Sequence, residues 1–165
     1  MVNFRYEKGD LFKSKNLVGR VAVQCIPADF AIDKRSMTAG IAKVFTEKGV
    51  KADLCDRYEN YEWHGGDCLV ARMYCSGNAV LVANLITKPR YYDKPCLKDI
   101  RNAIHEFVKQ LKKPQKDLRL IMPLIACGLD QKNNPERWTW KDIESIISEE
   151  LNRSEISADI IICYL

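Results

Sequence analysis

Five short segments of the chain are apolar along most of their length and rich in β-branched residues. β-Branched residues favour strands, and strands without polar alternation are typical of a sheet covered by helices on both faces. The sequence Ser76-Gly77-Asn78 between the second and third segments is typical of a turn, so we expect those two strands to form a hairpin. The pattern therefore predicts a mixed sheet between two helical layers. The five segments are residues 18–25, 68–74, 79–86, 118–125 and 159–165.

Helical patterns alternate with these strands. Residues 95–111 place apolar side chains at spacings of three or four, with Pro95 suited to the first turn. Thr139 precedes Asp142 by three residues, as in a capping box, and an apolar stripe follows it. We expect a shorter helix over residues 39–48, and a helix followed by a loop over residues 49–67. No linker or repeat interrupts this order. It therefore predicts one α/β domain over residues 1–165, with a three-layer αβα architecture.

The size and composition of the chain fit one soluble domain. The 165 residues are 47% hydrophobic, which suffices for a single core. No stretch reaches the roughly 20 apolar residues of a membrane span, and the N-terminus has no apolar signal region. We therefore expect an intracellular protein, cytoplasmic or nuclear, that is monomeric and does not contact a membrane.

The chain has seven cysteines and two histidines, and their positions limit the metal and redox chemistry that it can support. Most of the cysteines lie in or beside apolar runs, which favours buried, reduced thiols. No Cys-x-x-Cys pair occurs, and His64 and His105 are far apart in sequence, so we expect no zinc site. The sequence predicts neither a metal nor a cofactor.

The chain carries a formal net charge of +4, with a mild concentration of lysines from 109 to 116. A solvated helix end and loop explain this cluster better than a nucleic-acid groove does. Modest positive charge also suits an anionic ligand such as a pyrophosphate.

Two glycine-containing loops follow predicted strands. The first leads from Cys25 to Met37-Thr38-Ala39-Gly40-Ile41-Ala42, and the second is Ala126-Cys127-Gly128-Leu129-Asp130. In open α/β sheets, ligands settle beyond the carboxyl ends of strands, where helix N-termini offer free N–H groups. Small residues in the first loop would let the backbone approach a phosphate closely. Such loops are also common turns, so each is weak evidence alone.

The order of five motifs along the chain resembles that of the macrodomain family, over nearly its whole length. The closest resemblance is to the terminal ADP-ribose protein glycohydrolase branch. It implies an αβα fold with ADP-ribose lying across the carboxyl edge of the sheet. The motifs are Gly9-Asp10-Leu11, the first loop, Leu85-Ile86-Thr87-Lys88, Met122-Pro123-Leu124-Ile125 with the second loop, and the ending Ile162-Cys163-Tyr164-Leu165.

The resemblance also implies roles for residues at matching positions. Asp10 and Leu11 would lie near the adenine, and the two loops would hold the pyrophosphate and the distal ribose. Lys88 would attack the anomeric carbon of the distal ribose, and Asp130 would assist release of the leaving carboxylate. The ligand-binding residues implied are Asp10, Leu11, Cys25, Ile26, Met37, Thr38, Ala39, Gly40, Ile41, Ala126, Cys127, Gly128, Leu129, Asp130 and Leu165.

The implied activity is the removal of mono-ADP-ribose from acidic side chains, together with deacylation of O-acyl-ADP-ribose. An ester of ADP-ribose has an electrophilic ribose carbon, to which an amine can add before water resolves the adduct. Lys88 must be neutral to act in this way. Burial would favour the neutral amine, whereas a neighbouring Asp130 would oppose it. The expected partners are ADP-ribose and mono-ADP-ribosylated proteins.

Several positions depart from the family pattern. Residues 31–36 lengthen the first loop, Pro27 stands where a serine could have contacted the ribose, and Ala126 replaces a glycine. Residues 131–137 extend the second loop. Three alternatives therefore stay open: a non-catalytic ADP-ribose reader, an ADP-ribose 1''-phosphate phosphatase, and a hydrolase acting on ADP-ribosylated nucleic acid, which the basic charge supports only weakly.

Two further residue types could be given a role in the site. The aromatic residues Trp138, Trp140 and the pair Tyr91-Tyr92 could stack on adenine, although an aromatic beside a helix start is more often a core anchor. Cys127 lies in the second loop but has no histidine near it in sequence. We therefore interpret Cys127 as a packing residue and not as a nucleophile.

Overall fold

The computed structural model describes residues 1–58, 62–111 and 118–165. Tyr61 in the predicted loop, and Lys112, Lys113 and Lys116 of the lysine cluster, lie outside these ranges. The strands are β1 (Val2–Lys8), β2 (Val21–Pro27), β3 (Cys68–Cys75), β4 (Asn78–Lys88), β5 (Leu118–Pro123) and β6 (Ala158–Tyr164). The α-helices are α1 (Gly40–Glu47), α2 (Val50–Tyr58), α3 (Leu97–Gln110) and α4 (Trp140–Arg153).

The six strands form one mixed sheet in the order β1-β6-β5-β2-β4-β3. All neighbours pair in parallel except β3 and β4, which are antiparallel. Cys75 pairs with Asn78 across a two-residue turn in which Ser76 and Gly77 both have positive φ, as in the turns that suit a twisted hairpin. The predicted mixed sheet and its hairpin are confirmed.

Helices cover both faces of the sheet. On one face, α3 and α4 pack on alternate strand residues such as Val23, Leu120 and Ile160. On the other face, α1 and α2 pack on neighbouring residues such as Ala22 and Ile121. The inner strands β2, β4, β5 and β6 thus bury side chains on both faces, which is why they lack polar alternation, whereas the edge strands β1 and β3 carry exposed residues. The three-layer αβα architecture is confirmed.

The helices follow the predicted patterns closely. In α4, the Thr139 hydroxyl and the Asp142 carboxylate form the predicted capping box. In α3, five apolar side chains are buried on one face. The largest shift in an element boundary is at β2, which begins at Val21 because Gly19 is left-handed (φ 85°) and the Arg20 N–H donates to the Leu17 carbonyl in a turn. No helix in the described ranges is long and apolar enough to cross a membrane.

Candidate functional site

Three neighbouring parallel strands end at the same edge of the sheet, at Pro27, Lys88 and Pro123. A cavity of about 640 Å³ opens beyond these ends. This volume is within the range of sites that hold small molecules and cofactors, and its position is where open α/β sheets bind ligands. The cavity is lined by Cys25, Pro27 and Arg35 and by residues 37–42, 87–88, 91–94, 123–126 and 128–130.

The first loop forms one wall of the cavity. Met37 and Gly40 are both left-handed, with φ values of 61° and 60°. The helix α1 begins at Gly40, and its N-cap residue, Ala39, makes no capping hydrogen bond through its side chain. The first N–H groups of a helix have no partner within the helix, so this wall offers donors suited to an anion.

The second loop forms the opposing wall. A Cβ atom on Gly40 would lie 3.8 Å from Leu129 Cδ1, so the two walls approach each other closely there. Ala126 is left-handed (φ 60°), a conformation that costs an alanine about 1 kcal/mol or more. Its carbonyl accepts a 2.8 Å hydrogen bond from Trp138 Nε1. The alanine therefore does not prevent the backbone geometry that a glycine would adopt, because Trp138 helps to fix it.

Lys88 and Asp130 meet within the cavity lining. Lys88 is the last residue of β4, and its carbonyl accepts a 2.9 Å hydrogen bond from the Ala28 N–H. Its Nζ lies 3.3 Å from Asp130 Oδ1, and only 17% and 20% of the two side chains are exposed. The resulting ion pair joins two residues 42 positions apart in sequence. An amine with an adjacent proton acceptor can act as a nucleophile once it loses a proton.

Asn134 fixes the loop that carries Asp130. Its side-chain amide donates to the Asp130 carbonyl at 3.0 Å and to the Pro95 carbonyl at 2.9 Å. Asn134 is only 3% exposed. The extension of the second loop thus holds the carboxylate in place beside Lys88.

Thr87 presents an unpaired hydroxyl at the cavity. The residue is 1% exposed, and its Oγ1 has no hydrogen-bond partner among the described residues. Buried hydroxyls normally have a partner, and leaving one unpaired costs about 1–3 kcal/mol. Because Thr87 lines the cavity next to Lys88, a bound ligand can supply the missing partner.

The thiols near the site are poor nucleophiles. Burial raises the pKa of Cys127 to about 11, and the Asp130 carboxylate adds to this effect. Burial also raises the pKa of Cys25 well above its usual value. Both thiols are protonated at neutral pH, which supports packing as the role of Cys127. The seven cysteines all lie in the described ranges and none forms a disulfide, and Cys68, Cys75 and Cys163 are buried.

The predicted site residues fall into two groups. Lys88, Asp130, Cys25, Ala126 and the segment 37–41 line the cavity, as do Gly128 and Leu129. The remaining predicted residues lie outside its lining, and their contact with a ligand stays a prediction. They are Asp10, Leu11, Ile26, Cys127 and Leu165.

The positions of the residues outside the lining have local causes. The Asp10 side chain accepts a 3.0 Å hydrogen bond from the Phe12 N–H and so caps a short 3-10 helix over residues 11–13. Leu11 and Ile26 are buried in the core. Leu165 is 96% exposed at the end of the chain.

Of the aromatic residues considered for stacking on adenine, some line the cavity and others do not. Trp138 is a core anchor, 7% exposed and bonded to the Ala126 carbonyl. Trp140 Nε1 donates to Tyr6 Oη at 2.7 Å, away from the cavity lining. Tyr91 and Tyr92 do line the cavity.

Sequence reasoning missed four polar residues of the lining: Arg35, Thr87, Asp93 and Lys94. Lys94 Nζ donates to the Leu129 carbonyl at 2.8 Å and so ties the lining segment 91–94 to the second loop. Arg35 belongs to the extension of the first loop, and its place just before Met37 was the available signal. In the described ranges, no group of three or more histidine, cysteine or acidic side chains could hold a metal ion.

Comparisons with known proteins identify the fold. No protein-family model matches the sequence, and no curated protein matches it. Among solved structures, the chain is similar to the macrodomain of Mycobacterium tuberculosis DarG, at 17% identity and a TM-score of 0.65, over 98% of this chain and 97% of that one. A Bacteroides thetaiotaomicron protein of unknown function is 21% identical, with a TM-score of 0.65 and 98% of each chain covered.

A third similar structure contains a ligand. Thermosipho africanus DarTG in complex with ADP-ribose is 17% identical, with a TM-score of 0.63, over 97% of this chain and 41% of that one. At these identities the likeness establishes the fold alone. The chain has the macrodomain fold that its motifs predict.

Proposed function

We propose that this chain binds ADP-ribose in the 640 Å³ cavity and hydrolyses mono-ADP-ribose esters of acidic side chains, together with O-acyl-ADP-ribose. The observation that carries the proposal is the Lys88–Asp130 pair, with 3.3 Å between Nζ and Oδ1, inside that cavity. A likeness in fold to a structure that contains ADP-ribose supports the choice of ligand.

The two loops suit the pyrophosphate. The N-terminus of α1 offers backbone N–H groups and the positive end of the helix dipole, and Ala126, Gly128 and Leu129 line the other wall. Arg35 and Lys94 add positive charge to the lining. In this arrangement the distal ribose lies near Lys88, and the adenine extends toward Asp10 and Leu11.

The reaction begins with a proton transfer. Lys88 and Asp130 form an ion pair in the free protein, and a charged ammonium group is not nucleophilic. When a ligand fills the cavity and expels water, the Lys88 proton passes to Asp130, which is within direct reach. The neutral amine then attacks the anomeric carbon of the distal ribose.

Bond formation and cleavage balance in two steps. As the Nζ–C bond forms, the bond from that carbon to the ester oxygen breaks, and Asp130 gives its proton to the departing carboxyl group of the target. Water then adds to the same carbon, with Asp130 as the base, and the Nζ–C bond breaks. Free ADP-ribose leaves, and Lys88 recovers its proton.

A hydrolysis assay tests this proposal. A peptide with glutamate-linked ADP-ribose is incubated with the wild type, Lys88→Ala, Asp130→Asn and Lys109→Ala, and the products are followed by mass spectrometry. Removal of the nucleophile should lower kcat at least about a thousandfold, and removal of the acid/base about 10²–10⁴-fold. Lys109 is a control because its side chain is 71% exposed and lies outside the cavity lining.

Two results would overturn the proposal. Release of ADP-ribose at the wild-type rate by Lys88→Ala would exclude the lysine mechanism. A wild-type protein that binds ADP-ribose in calorimetry, but releases it from no linkage, would instead be a reader. A parallel reaction with ADP-ribose 1''-phosphate tests the phosphatase alternative.

A further inference from the structure

The extension of the first loop delivers a guanidinium group to the rim of the cavity. Arg35 lines the cavity while its side chain is 71% exposed. The Nε and Nη2 atoms of Arg35 donate hydrogen bonds to the Asp33 carboxylate, both at 3.1 Å. The Cζ atom of Arg35 lies 5.1 Å from the centroid of the Tyr91 ring. The side chain is held in place on two sides, but Nη1 is not part of the ion pair.

The first loop also positions the partner ring. Asp29 Oδ2 accepts a 3.1 Å hydrogen bond from the Tyr91 N–H, so one loop fixes both members of the Arg35–Tyr91 contact. Tyr91 follows Lys88 by three residues. The contact therefore joins the first loop to the segment that leaves β4 at Lys88, and all three residues line the same cavity.

A second pair of the same kind adjoins the first. Arg90 Cζ lies 4.9 Å from the centroid of the Tyr92 ring, and Arg90 Nε pairs with Asp93 at 3.2 Å. Its side chain is 60% exposed. The Tyr91 and Tyr92 rings meet edge to face at 5.2 Å, which links the two pairs. We call Arg35 and Arg90 the guanidinium rim.

The chemistry of this rim favours carboxylates. Each tyrosine ring has a guanidinium group over one face. Asp33 and Asp93 already accept hydrogen bonds from the Nε groups of the two arginines, so the group that the rim offers to a further carboxylate is Arg35 Nη1. Guanidinium edges bind carboxylates through paired hydrogen bonds, whereas the stacking of nucleobases needs a free aromatic face. The rim is therefore suited to the carboxylates of an acidic peptide.

We propose that the guanidinium rim is a specificity-determining surface that binds acidic residues flanking the ADP-ribosylated side chain of a target protein. This inference rests on the proposed function, because the flanking residues lie next to the scissile ester only if that ester is at Lys88. Arg35 is the main determinant, since it also lines the cavity.

Two peptides test the inference. Both carry one glutamate-linked ADP-ribose, and its neighbours are aspartate and glutamate in one peptide and alanine in the other. Binding to the Lys88→Ala protein is measured by fluorescence anisotropy at low and high salt, and kcat/KM is measured with the wild type. We expect about tenfold tighter binding and higher kcat/KM for the acidic peptide, with a preference that shrinks in salt.

Arginine variants identify the source of the preference. Arg35→Gln should reduce it to about twofold or less. Arg57→Gln is the matched control, because Arg57 is a half-exposed arginine in an ion pair with Asp53 outside the cavity lining, and it should keep the full preference. Thermal unfolding checks that both variants fold.

The outcomes separate the inference from the proposed function. Equal binding and equal kcat/KM for both peptides, or a preference that survives Arg35→Gln, would overturn the rim's role while leaving hydrolysis intact. A preference that depends on Arg35, without hydrolysis of either peptide, would support the rim and refute the enzyme proposal. Tighter binding of an ADP-ribosylated single-stranded oligonucleotide than of the acidic peptide would overturn the choice of partner.

Discussion

The unpaired hydroxyl of Thr87 leads to a prediction in which stability and ligand affinity change in opposite directions. Valine has nearly the same shape and a similar strand propensity, so Thr87→Val replaces the hydroxyl by a methyl group at the end of β4. In the free protein, this removes a buried polar atom that has no partner among the described residues. In the complex, it removes a donor and acceptor that we expect the ligand to use.

The magnitudes follow from the burial of Thr87. An unpaired buried hydroxyl costs about 1–3 kcal/mol, so Thr87→Val should stabilise the free protein by roughly 1–2 kcal/mol. For a domain of this size, that gain corresponds to a rise in Tm of about 3–6 °C. Loss of one neutral hydrogen bond to the ligand, worth about 0.5–1.5 kcal/mol, should weaken ADP-ribose binding roughly 2–10-fold.

Calorimetry measures both changes, by thermal unfolding without ligand and by titration with ADP-ribose. Thr46→Val is the control, because the Thr46 hydroxyl already donates to the Ala42 carbonyl at 2.9 Å and its removal should give no gain in stability. A lower Tm for Thr87→Val would mean that the hydroxyl has a partner in the free protein. Unchanged affinity would mean that the ligand does not use it.

Three further predictions concern the walls, the sheet and the thiols. Gly40→Ala should cost about 1 kcal/mol in urea unfolding and weaken ADP-ribose binding in calorimetry, because φ is 60° and a Cβ would narrow the gap between the loops. The pKa of Asp159 is lowered from 3.8 to about 2, first by a hydrogen bond from Arg5. The Asp159 carboxylate therefore stabilises the folded protein at a pH above its unfolded pKa of 3.8, and this stabilisation is lost as the pH falls from about 4 to 2. In urea unfolding across that range, the free energy of unfolding should fall less for Asp159→Asn than for the wild type. In iodoacetamide labelling at pH 7, followed by peptide mapping, the exposed Cys96 should react before Cys127, whose pKa is raised to about 11.

The fold was predictable because its main determinants are local and periodic. The apolar strands, the Ser76-Gly77 turn and the Thr139 capping box each have a signature within a few residues, and each is confirmed. The meeting of Lys88 and Asp130 was predictable for a different reason. The resemblance to the macrodomain family implied it, and the topology explains it, because Lys88 ends β4, Asp130 lies in the loop after β5, and both strands end at the same edge of the sheet.

The rest of the site depends on the course of irregular loops, which the spacing of apolar residues in the sequence does not predict. Arg35 reaches the cavity because Asp33, Asp29 and Tyr91 fix an irregular loop, and no spacing in the sequence predicts those contacts. The state of the Thr87 hydroxyl depends on the packing around it. The left-handed backbone at Ala126 was likewise hidden, because alanine normally argues against such a conformation.

Trapping of the covalent adduct on Lys88 is the decisive test of the lysine mechanism. The wild-type protein is mixed with glutamate-linked ADP-ribosyl peptide, treated with a borohydride that reduces an imine form of the adduct, digested, and mapped by mass spectrometry. We expect one ADP-ribosyl unit on the peptide that contains Lys88, and none after Lys88→Ala. Rapid release of ADP-ribose with no modified Lys88, at a rate that Lys88→Ala leaves unchanged, would contradict the role of Lys88 as the nucleophile.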